Sequence, residues 1–290
     1  MITVSIIIVN YNTGCFTQKA IQSILKQNFK DYQIIVIDNA STDNSIKQLK
    51  QISEIKLIIN KKNIGFGAAN NLVCQNINSK YIYFFNPDIE LITTDSLGNL
   101  IKFLDESQEC GLVTSCLNED KSLFCFNYPG EKFVKSIKFN NLPGEISWCL
   151  GANMLIRNEL FKQINGFDEY FFLYAEDTDL CLRVRQAGYA IGYCKDCVVK
   201  HFGGSSEIKT PKEKLFAKKQ KALQKFYNKH YTNKEKNHVL YYQLKTLKRH
   251  IKVTFFMQYT IGIFSFKIRK KYKQKNKKYF AIMKELYKYI

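Results

Sequence analysis

Several things are missing from this sequence, and each absence removes a class of protein. There is one CxxC pair and no second, an odd total of nine cysteines, and no GxGxxG after the first apolar segment. An odd set of cysteines lying mostly in apolar runs is no disulfide framework, and reads as reduced, buried thiols of a cytosolic protein. Cys194-Lys-Asp-Cys197 is a weak zinc pattern without a second pair, and small buried hydrophobes account for it. Without GxGxxG there is no dinucleotide fingerprint. The opening MITVSIIIVNYN has no basic flank and no small-residue cleavage site, so it reads as a strand and not a signal peptide. Residues 253–266 are mostly apolar but number 14, short of the ~20 that a membrane span needs.

What is present is a chain of 290 residues, 46% hydrophobic, enough for one large core or two smaller ones. Its net charge of +19 is unevenly placed. Residues 1–204 hold 20 Lys/Arg against 21 Asp/Glu, whereas residues 205–290 hold 24 against 4. All of the excess therefore lies in the last 86 residues, which marks an attached segment whose partners are polyanions, nucleic acid or anionic lipid.

The pattern along the first part alternates strands and helices. Residues 3–9, 33–37, 56–59 and 81–86 are short apolar or β-branched runs, read as buried strands. Between them lie helical patterns: one carries Ala20, Ile21, Ile24 and Leu25 on one face, one is capped by Ser41 or Thr42 and runs to Ile52, and one covers residues 68–76. This βαβαβαβ order predicts a mostly parallel sheet with right-handed crossovers and helices on both faces. Residues 95–107 read as helix and 111–116 as strand. Residues 117–147, with Pro129-Gly130 and Pro143-Gly144, read as loops and short hairpin strands. Residues 148–156 are an apolar strand interrupted by Gly151, a mark of close approach. Residues 190–193 and 198–200 read as two short strands.

Each early strand ends in polar residues, and parallel strands bring those ends to one edge, where open α/β sheets bind ligands. After the fourth strand, Pro87 stops the ladder, and Asp88 is either a turn cap or a carboxylate for a hard divalent ion. Glu176, Asp177 and Asp179 follow an aromatic run and open a helix. They either complement the helix dipole or include a general base whose pKa apolar neighbours raise. His201 is a lone histidine, of a kind usually structural or solvated.

Taken together and in order, seven blocks resemble family-2 glycosyltransferases of the GT-A fold, the rhamnosyltransferase-like bacterial members above all. They are Val4–Asn12, Val36–Asp43, Asn63–Asn71, Asn86-Pro87-Asp88, Gly166–Glu169, Glu176–Arg183 and His201–Ser205. The resemblance covers residues 1–206 and implies a GT-A catalytic domain there, a Rossmann-like α/β domain, followed by a basic, mostly helical extension over 207–290. It implies that Tyr11 and Asp38 hold the nucleotide base, and that Lys62, Asn63, Gly65 and Asn70 lie along the donor sugar and diphosphate. Asn86 replaces the first carboxylate of the family's DxD motif. Asp88 is then the strong carboxylate ligand for Mg²⁺ or Mn²⁺, with His201 completing the metal site. Lys62 stands where relatives often have Arg, which keeps the charge and loses the bidentate fork. Asp177 is the implied base, with Glu176 second. The implied reaction is inverting transfer from a nucleotide-diphosphate sugar, such as dTDP-rhamnose or a UDP-sugar, to a glycan or lipid-linked acceptor in cell-surface polysaccharide synthesis.

Two other classes fit less well. A nucleotidyltransferase needs a triphosphate loop after the first strand, and residues 10–15 have one glycine and no basic residue. A nucleic-acid binder could use the tail, where Tyr and Phe interleave with Lys. The chain has no such module and residues 1–204 are not basic, so no nucleic-acid partner is expected. The tail is instead expected to rest on an anionic membrane, on the cytoplasmic face of the inner membrane, because eight basic residues and no acid follow the apolar stretch over 267–278. A helical lid with a solvated basic face is the alternative.

Overall fold

The computed structural model describes residues 1–117, 124–134, 139, 141–203, 210–260 and 266–289. The chain divides into two compact units, one of Met1–Tyr128 with Phe139–Ile208, the other of Pro129–Lys138 with Lys209–Ile290.

The first unit is built on an eight-stranded sheet. Its strands are β1 (Ile2–Asn10), β2 (Tyr32–Asp38), β3 (Ile55–Ile59), β4 (Ser79–Phe85), β5 (Ile89–Leu91), β6 (Cys110–Leu117), β9 (Asn153–Arg157) and β10 (Ala190–His201). β7 (Phe124–Cys125) and β8 (Trp148–Cys149) pair apart from it. The order is β3-β2-β1-β4-β9-β6-β10-β5. The first four strands are mutually parallel, β9 runs antiparallel between β4 and β6, and β5 is an antiparallel edge on β10. The chain steps outward from β1 to β3 and then returns to β1's other side with β4. That reversal is the topological switch point, where a crevice opens at the carboxyl ends of the strands.

The strands are apolar without alternation because both faces are covered. Val4, Ile6 and Ile8 of β1 and Tyr81, Tyr83 and Phe85 of β4 pack with α1 (Gly14–Leu25), α2 (Ser45–Leu49) and α4 (Ser96–Glu106). Ile7, Ile82 and Phe84 face the opposite way, onto α3 (Phe66–Cys74), α5 (Asn158–Gln163) and α6 (Glu176–Gln186). The period-2 geometry of a strand divides one continuous run between two cores. Truncating a ring such as Phe84, which contacts Phe161 and Phe167, to Ala would cost about 3–5 kcal/mol.

Several local expectations are corrected. The helix expected from Ser41 or Thr42 to Ile52 is the shorter α2, and neither residue caps it, because Ser41 is drawn into the loop after β1. The third helix starts two residues early, at Phe66. The two short strands expected around 190–200 are one strand, with irregular register between Cys194 and Val198 where the CxxC lies. The apolar run at 148–156 is two strands divided at Gly151. Parts of the 117–147 region, the block beyond Gly203 and residues 261–265 of the apolar stretch lie outside the described residues.

The second unit contains α7 (Lys212–His230), α8 (Asn233–Tyr259) and α9 (Phe266–Leu286). Leu240, Leu244, Leu247 and Leu286 form its small apolar core. α8 opens on a capping box: Thr232 Oγ1 accepts from Glu235 N, and Glu235 Oε2 accepts from Thr232 N. Among the described residues no helix is long and apolar enough to cross a membrane.

Candidate active site

The switch-point crevice is edged by loops that asparagine side chains hold together. Asn10, at the end of β1, donates from Nδ2 to Asp38 Oδ2 at 2.6 Å and to Ser41 Oγ at 3.0 Å. Its Oδ1 accepts from Thr13 and Thr17 hydroxyls. Asp38 Oδ1 accepts from Ser41 N at 2.8 Å, and Asn12 Oδ1 accepts from Thr42 N at 2.8 Å. Asn12 and Ala40 both adopt positive φ, 55° and 65°, so the loops after β1 and β2 are tightly turned and cross-tied.

Asn39 extends this to the next loop. Its Nδ2 donates to Asn63 Oδ1 and Gly65 O, and its Oδ1 accepts from Asn60 Nδ2 and Ile64 N. Gly65 has φ 92°, and a Cβ there would lie 2.5 Å from Phe172 O. Only glycine tolerates both conditions. Phe66 N then donates to Phe172 O at 3.0 Å, so this loop rests on the aromatic run before Glu176. Asn71 binds both N and O of Phe167, which fixes α3 against the Gly166-Phe167-Asp168 turn.

On the other side of β1, Asn86 N donates to Ala152 O at 2.8 Å, and Pro87 turns the chain into Asp88 and β5. β5 pairs with β10 so that Ile89 lies opposite His201, and Phe202 N donates to Asp88 O at 3.0 Å. This ladder brings His201 Nε2 to 3.5 Å from Asp88 Oδ1. Adjacent oxygen or nitrogen ligands of a six-coordinate Mg²⁺ or Mn²⁺ stand about 3 Å apart, so the pair fits two neighbouring positions on one ion. Among the described residues no group of three or more His, Cys, Asp or Glu forms a cation cluster. The other positions would fall to water and ligand oxygens, as Mg²⁺ prefers.

The three carboxylates that open α6 have three different environments. Asp179 is buried and paired with Arg183 Nε at 2.8 Å. Glu176 is buried, with Oε2 lacking a partner; burial, and then the charge of Asp177, holds its carboxyl well above the ordinary range. Asp177 is half-buried. It accepts from Gly151 N at 3.1 Å through Oδ2 and from Thr178 N at 2.7 Å through Oδ1. Burial raises its pKa while these N–H groups oppose the rise. Tyr174 and Ala175, immediately before, have φ 70° and 69°, a strained turn of the kind that collects at functional sites. Gly151–Ala152 therefore ties the Asn86–Asp88 turn to Asp177: one residue holds each.

Two of the expected donor-binding residues are turned inward. Asp38 is fully buried, with both oxygens engaged. Asn70 is buried in α3, where Nδ2 donates to Phe66 O and Oδ1 has no partner. Asp38 ties Asn10 to the loop after β2, and Asn70 bonds within its own helix. Tyr11 and Asn86 are half-buried at the rim, Lys62 is exposed at its loop tip, and Asn63 is half-buried with its Oδ1 shaping the turn to Gly65. Asn10, Asn39, Ser41 and Asn71 tie these loops together, a role that motif reading did not give them, while Gly151, read as a mark of close approach, has Asp177 as its partner. The nine cysteines are all free, and burial pushes the Cys197 thiol up to about 12.

A family model described as Glycosyl transferase family 2 matches residues 5–164, and one described as the N-terminal domain of galactosyltransferase matches residues 131–204. The rhamnosyltransferase WbbL of Escherichia coli is 32% identical over 214 residues, spanning 66% of this chain and 80% of its own. The O-antigen chain rhamnosyltransferase RfbN of Salmonella typhimurium is 27% identical, spanning 73% of this chain and 69% of its own. An N-acetylglucosaminyl-diphospho-decaprenol L-rhamnosyltransferase of Mycobacterium tuberculosis is 23% identical over 73% of this chain and 80% of its own. Among solved structures, the mannosyltransferase PcManGT of Pyrobaculum calidifontis, in complex with GDP-Man and Mn²⁺, has a TM-score of 0.65 at 15% identity, covering 98% of this chain and 86% of that one. The likeness to it is one of fold, and the architecture is GT-A. With the first family model matching more than half of its length and WbbL aligned over most of both sequences, this chain belongs to glycosyl transferase family 2.

Proposed function

We propose that this glycosyltransferase inverts configuration in a single displacement, with Asp177 as the base and a divalent cation held by Asp88 and His201. The observation that carries the reading is the Gly151–Ala152 bridge, which fixes the Asp88 turn and the Asp177 carboxylate to one segment. Asp177 is half-buried at a strained helix start, within an environment that raises its pKa toward a base's working range. It would take the proton of an acceptor hydroxyl as that oxygen attacks the anomeric carbon. Burial raises the pKa of Glu176 and Arg183 pairs with Asp179, which would leave Asp177 as the unpaired carboxylate suited to take a proton. When bound, the cation would neutralise charge on the departing diphosphate. Tyr11, Lys62, Asn63 and Gly65 would line the nucleotide and its phosphates, backed by Asp38 and Asn70.

Relatives named as rhamnosyltransferases favour a nucleotide-diphospho-rhamnose donor, and the mycobacterial relative's name favours an acceptor sugar on a polyprenyl diphosphate. Such an acceptor suits a catalytic domain over 1–206 carried to an anionic membrane by residues 207–290, on the cytoplasmic face. The deciding experiment is a panel of nucleotide-sugars scored for nucleotide release with Mg²⁺, with Mn²⁺ and with chelator. Release from no donor in the presence of either ion and a lipid-linked acceptor would refute the reading.

A further inference from the structure

A second, separate cavity lies wholly within the helical unit. It has a volume of about 1000 Å³ and lies among the start of α7, the end of α8 and α9. Of its 13 described lining residues, eight are Lys or Arg and one, Glu213, is acidic. Like charges so gathered repel one another, and a bound polyanion relieves that repulsion. The cavity is larger than one phosphate needs and lies at the upper end of small-ligand pockets.

Side-chain contacts define its walls. Lys278 Nζ sits 4.6 Å from the centre of the Phe216 ring, which holds a cation at the wall. Gln258 lines the cavity and is buried. Its Oε1 accepts from Asn276 Nδ2 at 3.0 Å, and Asn276 Oδ1 accepts from Thr254 Oγ1. The last turns of α8, which reach the cavity through Gln258 and Tyr259, carry exposed apolar side chains: Val253 is 51% exposed, Phe256 67% and Tyr259 57%. Tyr259 both lines the cavity and faces solvent. A cationic cavity with an apolar and aromatic rim matches the two layers of a bilayer interface, phosphate above and acyl chain below. A soluble polyanion would leave the exposed Phe256 without a role.

We infer that this cavity receives the phosphate headgroup of an anionic phospholipid in a bilayer, with Phe256 and Tyr259 entering the interface beside it. This rests on the proposal that the helical unit faces a membrane, and adds to it a defined headgroup site in place of diffuse attraction. The test compares two variants of the full chain with equal net charge. One, Lys273→Gln with Lys277→Gln, alters the cavity; the other, Lys50→Gln with Lys234→Gln, alters exposed lysines outside it. Binding is measured by co-sedimentation with phosphatidylglycerol/phosphatidylcholine vesicles and with pure phosphatidylcholine vesicles at physiological salt. Circular dichroism melting verifies the fold of each variant. The cavity variant is expected to lose about 10–30-fold in affinity for the anionic vesicles, and the control less than about 2-fold. Phe256→Ser is expected to weaken vesicle binding and leave binding of a single-stranded oligonucleotide unchanged. Equal losses by the two double variants would overturn the headgroup site and leave a charge-only membrane attachment. Failure of the unaltered protein to bind anionic vesicles would overturn both. Tighter binding of the oligonucleotide than of the vesicles, lost in the cavity variant, would assign the cavity to nucleic acid.

Discussion

His201 Nε2 lies 3.5 Å from Asp88 Oδ1, and backbone pairing of β5 with β10 sets that distance. The two side chains are held by a ladder and a Phe202 N–Asp88 O hydrogen bond, so each can be changed without dismantling the other's support. Asp88→Ala and His201→Ala are both expected to weaken metal-dependent binding of a nucleoside diphosphate, by roughly 10–100-fold. Calorimetry with and without Mn²⁺ measures it. A His201→Ala protein with wild-type affinity in Mn²⁺ would make the histidine a structural partner of Asp88 and nothing more.

Asp177→Asn keeps the side chain's shape and one of its two accepted hydrogen bonds, from Gly151 or Thr178, while removing the basic carboxylate. The expected result is a fall of ~10²–10⁴-fold in kcat with donor affinity nearly intact. Because burial raises the wild-type pKa, the acidic limb of the pH–rate profile should lie above the usual aspartate range and vanish with the variant's residual activity. If Asp177→Asn turns over normally and Glu176→Gln is dead, the base is the neighbouring carboxylate.

Gly65→Ala tests the loop geometry without touching a charge. A Cβ would meet Phe172 O at 2.5 Å on a backbone with φ 92°. The strain is of order 1–3 kcal/mol, and relief requires the loop to leave the aromatic run. Donor affinity should drop with the melting temperature. Unchanged donor binding would mean that this loop does not line the donor.

Much of this was legible in advance because the relevant patterns are local. A run such as Tyr81–Phe85 between turn signals is a doubly buried strand whatever surrounds it, and four such runs with helical spacers imply the parallel sheet. The approach at Gly151 was also readable, since an interior glycine marks one. Its partner was not: nothing local to residue 151 names Asp177, and the contact exists only once β9 and α6 are packed. The same limit hid Ser41. By type it is a good helix cap, but the Asn10 side chain and the Asn12 backbone N–H donate to its hydroxyl from the end of β1 and the loop after it. The three acids of α6 looked alike in sequence, and were separated only by Arg183 reaching Asp179 and by the depth of Glu176.

Glu176 gives the last prediction, on stability. Its carboxyl is buried, one oxygen has no partner, and its pKa in the folded protein stands well above the ordinary 4.5, first through burial and then through Asp177. The folded state therefore binds a proton that the unfolded state has released over the range above 4.5. Where the folded state holds more protons, stability falls as pH rises. The contribution of this group is complete below the unfolded value and is lost as pH climbs toward the folded one. Gln replaces the acid with a neutral group of similar size and has no proton to lose. Glu176→Gln should thus melt higher than the unaltered protein at pH 8, with the gap narrowing at pH 5. Each kcal/mol of difference corresponds to ~2–4 °C in a unit of this size. Thermal melts at both pH values, with Asp179→Asn as a contrast that breaks the Arg183 ion pair and is destabilising at both, measure the effect. A gap that is constant with pH would mean that Glu176 stays ionised and that its burial is compensated by the fold.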